Sequence, residues 1–457
     1  MKNLIILLLA LLISGSTMVG QTTIKKQEKN KSQNMKHLDW TRNANIYEVN
    51  VRQYTPEGTL EAFRKHLPRL KKMGVDILWL MPIFPVGEKN RKGSLGSYYA
   101  VKDYHGINPE FGTKDDFRKV VEEAHQLGMK VILDWVANHS AWDNVWVEQH
   151  PEYYEKDDKG NLISPFDWTD VISFDYNNRE MREAMTEALK YWVRDFDIDG
   201  YRCDVAGMVP TDFWDNARKE LDEIKPVFML AEDEDNADLM RAAFDMNYSW
   251  KLHHLMNDVA QGKKNTNDIW AYYDWNNSVF APDMYRMTFT TNHDENSWNG
   301  TVKERMGDKA GETFAVFTFV APGFPLIYSG QEAGLDKRLR FFDKDTIDWS
   351  NLDKAAFYSK LINLKHHNHA LWNGTAGGDL VPLSKGVNDH VFAFTRQKDG
   401  NRVVVIMNLS KDSQSFKLDN HDLKGDYTDY KTGKPFYFKG KHRWHLAPWE
   451  YVVLSSN

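Results

Sequence analysis

Gly200-Tyr201-Arg202-Cys203-Asp204 follows a helical run, Arg179 to Phe196, and reads as a short strand that arrives at a charged end. Side chains alternate faces along a strand, so Arg202 and Asp204 point one way while Tyr201 and Cys203 point the other. An arginine beside an aspartate at a strand end is either a plain ion pair or an active-site carboxylate held ionised by its cation. The pair alone does not choose between the two. Its surroundings bear on the choice, because three more strand ends carry acids.

Upstream, Ile46 to Val51 reads as a strand, followed by an amphipathic helix from Leu60 to Met73 that Gly74 stops. Val75 to Met81 is a continuous apolar run, the pattern of a parallel strand buried on both faces. Thr113 opens a helix whose Asp115 and Asp116 suit its positive first turn, Gly128 closes it, and Lys130 to Val136 is the next strand. From Asn138 to about Asn178 no period is clean, and the stretch reads as a long excursion between a strand and its helix. Downstream, a helix Thr211–Ile224 leads to a strand Val227–Glu232, with a weaker strand near Ala243–Asn247. A strand Met287–Thr291, a helix Lys309–Val320 and a strand Pro325–Ser329 complete the series.

About eight strands alternating with helices over roughly 300 residues predict an α/β fold, a closed (β/α)8 TIM barrel with a short inserted domain after its third strand. The doubly wound open sheet is the alternative, and no Gly-rich phosphate turn after the first strand speaks for it. Beyond about residue 373 short alternating strands follow without helices: Val391–Arg396, Arg402–Leu409, Ser415–Leu418 and Glu450–Leu454. They predict an antiparallel β-sandwich over residues 373–457. The barrel is expected over 38–372, with the insert at about 138–178.

At the N-terminus Lys2, an apolar run Leu4 to Ile13 and the small polar residues Ser14 to Thr17 read as a signal peptide over residues 1–20. The run is too short to serve as a membrane anchor. Residues 21–37, rich in Lys, Gln and Asn, read as a disordered tether. A secreted or periplasmic protein is expected. The single cysteine, Cys203, allows no intrachain disulfide, so stability falls to the size of the core. Cys203 faces away from Asp204 and reads as a small buried hydrophobe. A formal charge of -7 argues against nucleic-acid and anionic-membrane partners.

In a barrel the site forms where the strands end and their loops begin. The acids there are Asp134, Asp204, Glu232 and Asp294, accompanied by His139, Arg202 and His293. Carboxylates without a Cys/His ligand set suit cleavage of a glycosidic bond, in which one carboxylic acid protonates the leaving oxygen and a carboxylate attacks the anomeric carbon. Mutual repulsion and partial desolvation keep one of them protonated near neutrality. Glu232-Asp233-Glu234-Asp235 otherwise reads as a solvated acidic loop, with Glu234 a rival acid. His366, His367 and His369, near a helix end, read as surface or dipole-stabilising residues rather than metal ligands.

These residues carry a resemblance. Asp134-Trp135-Val136-Ala137-Asn138-His139, Gly200 to Asp204, Ala231-Glu232 and Asn292-His293-Asp294 resemble, in order and spacing, the motifs of the α-amylase family, glycoside hydrolase family 13. Gly74 to Pro82, Tyr98-Tyr99 to Gly112, Phe174-Asp175-Tyr176-Asn177 and Tyr328 to Glu332 are similar too. The resemblance implies Asp204 as nucleophile, Glu232 as general acid/base and Asp294 as stabiliser of an oxocarbenium-like transition state. It implies Tyr99, His139, His293, Arg202 and Asp134 as substrate-binding residues, with Arg202 aiming Asp204 and Asp134 propping Arg202 at the barrel rim. Asn138 and Asp175 match calcium-contacting positions. Met208 and Gly207 stand where many members carry histidine and lysine, so a weakened calcium site is expected at most, and no cofactor is required.

The function so implied is a secreted retaining hydrolase of α-1,4-glucosidic bonds in starch-like α-glucans or maltooligosaccharides. A transglycosidase or isomerase on the same scaffold, or a catalytically silent glucan-binding protein, are the alternatives. Asp204-Val205-Ala206 is similar to the nucleophile motif of the cyclomaltodextrinase and neopullulanase group. The β-domain that precedes the barrel in that group is not seen here, so a monomer is expected.

Overall fold

Eight short strands close on one another in chain order in a computed structural model that describes residues 35–456. They are β1 (Ile46–Val49), β2 (Ile77–Leu80), β3 (Lys130–Trp135), β4 (Gly200–Cys203), β5 (Phe228–Ala231), β6 (Met246–Tyr248), β7 (Tyr285–Thr288) and β8 (Phe324–Tyr328). Every neighbouring pair is parallel, and β8 returns to β1 with Ile46 opposite Leu326, so the sheet is closed rather than open. The leader and most of the tether expected before residue 38 lie outside the described residues.

Strand alternation builds the barrel interior in layers. Ile46, Ile77, Trp79, Ile132, Phe228, Leu230, Met246, Met287 and Phe324 form one apolar cluster inside it. Two residues further along their strands, the same inward face carries Glu48, Asp134 and Arg202, all fully buried. The alternate residues, Tyr201 and Cys203 among them, join the larger core shared with the surrounding helices. Burial pushes the Cys203 thiol well above its usual pKa, which fits an inert packing residue. Gly200 is dictated by packing: at φ 148, a Cβ would stand 1.8 Å from the Phe228 carbonyl oxygen of β5.

Several expected bounds shift for local reasons. The helix expected from Leu60 to Met73 is two helices, Leu60–Arg64 and Leu67–Met73. Pro68 lacks an N–H, and its ring conflicts with the carbonyl four residues back, that of Arg64, where the first helix ends. The weaker strand comes at Met246–Tyr248 and the next at Tyr285–Thr288, each displaced from the sequence reading. The helix after Thr113 is fixed by a reciprocal cap between Thr113 and Asp116.

Two long connections rise above the barrel's C-terminal end. One follows β3 and contains an antiparallel pair, His139–Ala141 with Val171–Ser173, and a short helix, Val145–Gln149. The other, between β2 and the helix Lys114–Gln126, carries Tyr99. After the barrel, a six-stranded antiparallel sheet packs against a two-stranded one, Gln414–Asp419 with Lys441–Leu446. Val391, Ile406, Phe416, Leu418 and Leu446 lie in the core between them. Strands Gly425–Asp429, Pro435–Phe438 and Lys441–Leu446 escaped the sequence reading, because charged and aromatic side chains occupy their exposed positions. No helix among the described residues is long and apolar enough to cross a membrane.

Candidate active site

Pairing of the parallel strands sets Asp134 opposite Arg202 and Cys203 opposite Ala231, which brings three acids of distant sequence to one guanidinium. Arg202 Nη1 donates to Asp134 Oδ1 at 2.8 Å and to Asp204 Oδ1 at 3.1 Å. Its Nη2 lies 2.8 Å from Glu232 Oε1 but without an aligned N–H, so that contact is an ion pair rather than a hydrogen bond. Nε donates to the Tyr248 hydroxyl, and the guanidinium stands 5.0 Å over the Trp79 ring. Sharing one planar guanidinium limits the Asp204 and Glu232 oxygens to a separation of no more than about 8 Å. Paired carboxylates that act on one sugar linkage stand roughly 5 to 9.5 Å apart.

The backbone after Asp204 is bent to serve this pair. Val205 adopts φ 37, a left-handed conformation costly for a β-branched residue, and its N–H donates to Glu232 Oε2 at 2.8 Å. Burial and the nearby Glu232 push the Asp204 carboxyl well above the usual carboxylate range, against the pull of Arg202. The Asp204 carboxyl therefore holds its proton to a higher pH than an exposed aspartate would.

A second network runs through His293. Its Nδ1 donates to Glu48 Oε1 at 2.5 Å, its Nε2 meets the Tyr99 hydroxyl at 2.7 Å, and Asp294 Oδ2 lies 3.3 Å from Nε2. Burial opposes a charge on this ring, but the Asp294 and Glu48 carboxylates outweigh it and raise its pKa to about 9. The Tyr99 hydroxyl donates a hydrogen bond to Asp134 Oδ2, which also accepts from Trp79 Nε1. Across the site, His139 Nδ1 accepts from the Asn138 amide at 3.1 Å, so its proton sits on Nε2, which lies 3.9 Å from Asp204 Oδ2. Burial lowers its pKa to about 3, so His139 is neutral at ordinary pH.

Above these groups opens a cleft of about 580 Å³. Tyr99, His139, Asp204, Glu232, His293 and Asp294, six of the residues singled out from the sequence, line it together. Arg202 and Asp134, expected among the substrate-binding residues, are instead fully buried beneath its floor and act on the other acids. Glu234, the rival acid, is held away by Arg286 at 2.6 Å and by the Lys251 N–H at 2.7 Å. The acidic run is thus not a solvated loop: Glu234 is buried, and only Asp235 is freely exposed. His366, His367 and His369 bond separately to Asp76, the Asn363 carbonyl and Asp399.

The two positions matched to calcium, Asn138 and Asp175, both make local hydrogen bonds. Calcium takes six to eight oxygen ligands. Asn138 spends its amide nitrogen on His139, while Asp175 Oδ1 accepts from Asn177 twice. Among the described residues, no three acids, histidines or cysteines gather in a way that would hold a metal.

Glu48, Trp79 and Tyr248 were missed in the sequence. Glu48 had a visible signal, as an acid inside the otherwise apolar strand Ile46–Val49. Trp79 and Tyr248 had none, because an apolar run does not say which aromatics keep a polar edge toward an inward charge. Of the aromatic walls, Trp168 and Phe341 come from loops that lack any period, and Trp298 from a single helical turn, Glu295–Asn299, too short to show one.

Comparison with known proteins agrees with this geometry. The family described as "Alpha amylase, catalytic domain" matches residues 25–172 and 165–370. Alpha-amylase MalA of Haloarcula japonica is 28% identical over 412 residues, covering 85% of this chain and 59% of its own length. A maltogenic alpha-amylase of Bacillus acidopullulyticus is 28% identical, over 79% of this chain and 64% of its own. The chain thus spans about three-fifths of the length of these curated relatives. Among solved structures, an alpha-amylase from Lactobacillus plantarum superposes with a TM-score of 0.82 at 32% identity, covering 92% of this chain and 100% of that one. A noncanonic maltogenic alpha-amylase, AmyB from Thermotoga neapolitana, does so with a TM-score of 0.82 at 31% identity, over 90% and 98%. With its closed barrel, its acids gathered on one arginine and a family match spanning most of the barrel, the chain belongs to the α-amylase family of glycoside hydrolases.

Proposed function

We propose that the protein hydrolyses α-1,4-glucosidic bonds of starch-like glucans or maltooligosaccharides with retention of anomeric configuration. The observation that carries this reading is the pair Asp204 and Glu232 sharing Arg202 on the floor of one cleft. Relatives named as an alpha-amylase, a maltogenic alpha-amylase and a cyclomaltodextrinase support the substrate class.

An Asp204 carboxylate oxygen attacks the anomeric carbon as Glu232 gives its proton to the departing glycosidic oxygen, so the C–O bond breaks and a glycosyl ester forms. Glu232, now anionic, takes a proton from water. The hydroxide equivalent displaces Asp204 from the anomeric carbon and restores both groups. Two inversions give net retention. The positive charge that develops on the sugar in the transition state of each step stabilises Asp204 as an anion, overcoming the burial that disfavours its charge in the free cleft. Asp294, in contact with the His293 imidazolium, and neutral His139, with Nε2–H turned to the cleft, are the groups we assign to the sugar hydroxyls. Tyr99 offers its ring face.

Proton NMR during hydrolysis of maltoheptaose tests this reading. Shorter products released first as α-anomers are expected. Longer products or an isomerised disaccharide would favour a transfer or isomerase reaction, and tight binding without new reducing ends would favour a binding protein. Export rests on the N-terminal apolar run alone, and a cytosolic protein that keeps residues 1–20 would count against it.

Glu48→Gln tests the His293 network. The amide keeps an oxygen toward Nδ1 but removes the negative charge, one of the two forces that raise His293 to about 9. The expected result is a His293 titration at lower pH, followed by NMR. The kcat/KM profile should lose its alkaline side at correspondingly lower pH. An unmoved titration would show that Asp294 alone holds the charge.

A further inference from the structure

The loop that carries Tyr99 also reaches both walls of the cleft. Lys92 Nζ lies 2.9 Å from Asp170 Oδ1, in the insert after β3. Two residues later, the Ser94 N–H and hydroxyl both donate to Asp343 Oδ1, at 2.9 and 2.5 Å, and the Leu95 N–H donates to the Phe342 carbonyl at 2.9 Å, in the segment after β8. Gly93 lies so close to Phe342 that a Cβ would stand 2.4 Å from the Cβ of that residue. From below, buried Arg52 donates to the carbonyls of Gly96, Leu95 and Phe341 at 2.8, 3.3 and 3.3 Å. One short stretch is thus fastened to the insert on one side and to the post-β8 segment on the other. Lys92, Asp170 and Phe342 all border the cleft.

The chemistry says which end is crossed. Glu232 protonates the departing oxygen and so marks the leaving-group side. The ring attacked by Asp204 takes the other side, assigned above to the Tyr99 ring face and to Asp294 beside His293. Tyr99 belongs to the crossing loop, and its ring stacks with Phe341, 6.2 Å between centroids. The crossing therefore stands beyond the attacked ring, where further sugars would run toward the non-reducing end of a glucan.

We infer that residues 92–95 form a strap that closes the glycone end of the cleft, so that the enzyme takes a glucan by its non-reducing end and releases short products; this rests on the hydrolase reading above. A long chain cannot be threaded past a strap held at both sides. It can only be entered tip first, and internal bonds of amylose are reached slowly.

The test uses p-nitrophenyl maltoheptaoside, free or carrying a bulky benzylidene group on its non-reducing terminal sugar. The free substrate should be cut at least about tenfold faster than the blocked one. Equal rates on both would overturn the strap while leaving the hydrolase reading intact, whereas cleavage of neither would overturn the hydrolase reading itself. In a Lys92→Ala/Asp170→Ala variant with an unchanged thermal midpoint, the blocked-to-free ratio should rise several-fold as the insert side of the strap is released. Ser94→Ala/Asp343→Ala releases the other side and should move the ratio the same way. An unchanged ratio in both well-folded variants would reject the assignment of these contacts as the closure.

Discussion

Asp204→Asn is expected to lower kcat on maltooligosaccharides by on the order of 10⁴-fold or more, because the carboxamide cannot form the glycosyl ester and no other carboxylate stands in its place. Glu234, the nearest rival in sequence, is tied to Arg286 and the Lys251 N–H and cannot substitute. Glu232→Gln should cost roughly 10² to 10⁴-fold, since only proton delivery and water activation are lost while the attack on carbon remains available. The two variants separate on a substrate whose leaving group needs no proton. On α-maltosyl fluoride, Glu232→Gln should form its covalent intermediate at a rate close to that of the wild type, and Asp204→Asn should stay inactive. Both substitutions preserve volume, so unfolding midpoints should move little, and rise if anything for Asp204→Asn, whose carboxylate is held in the cleft against its burial. Near wild-type turnover by either well-folded variant would reject its assigned role, and reversal of the fluoride result would exchange the two roles.

What could be read in the sequence, and what could not, divides along the physics of each element. Parallel strands buried on both faces leave continuous apolar runs such as that ending at Leu80, and a charge at the end of such a run is conspicuous, which is how Asp134, Asp204 and Glu232 stood out. Their convergence was legible only because eight such strands imply a closed barrel; nothing local to Asp204 refers to Glu232. Arg202 was visible beside Asp204, but its partition between three acids depends on strand register, with Asp134 opposite it and Ala231 beside Cys203. Loops and single helical turns show no period, so the strap, its fastening to Asp343 and the aromatic walls were hidden. The acidic run was misread because Arg286, which buries Glu234, comes from a strand two places further round the barrel. Hydrophobic pattern records what is buried; it does not record which distant partner makes burial of a charge tolerable.

Arg202→Met is the substitution expected to act on both fold and chemistry. Arg202 is fully buried and faces three carboxyls, so an apolar side chain of similar length keeps the packing but leaves Asp134 and Asp204 without their cation. Breaking a buried ion pair from one side costs about 3–5 kcal/mol, and that is the loss expected at neutral pH. The sign of its pH dependence follows from the carboxyls themselves. Burial already raises Asp134 and Asp204 above their unfolded values with Arg202 present, and its removal raises them further. A carboxyl with a raised folded pKa destabilises the fold above its unfolded pKa, and that penalty fades as pH falls through the folded value. The deficit of Arg202→Met relative to the wild type should therefore shrink between pH 7 and pH 5, as read from denaturant midpoints at both. Arg202→Lys should recover part of the stability by restoring a charge, yet little of the activity, because one ammonium cannot span Asp134, Asp204 and Glu232 as a planar guanidinium does. A deficit that stays constant with pH would mean that the arginine acts through packing alone, and full activity in Arg202→Lys would mean that its geometry does not aim the nucleophile.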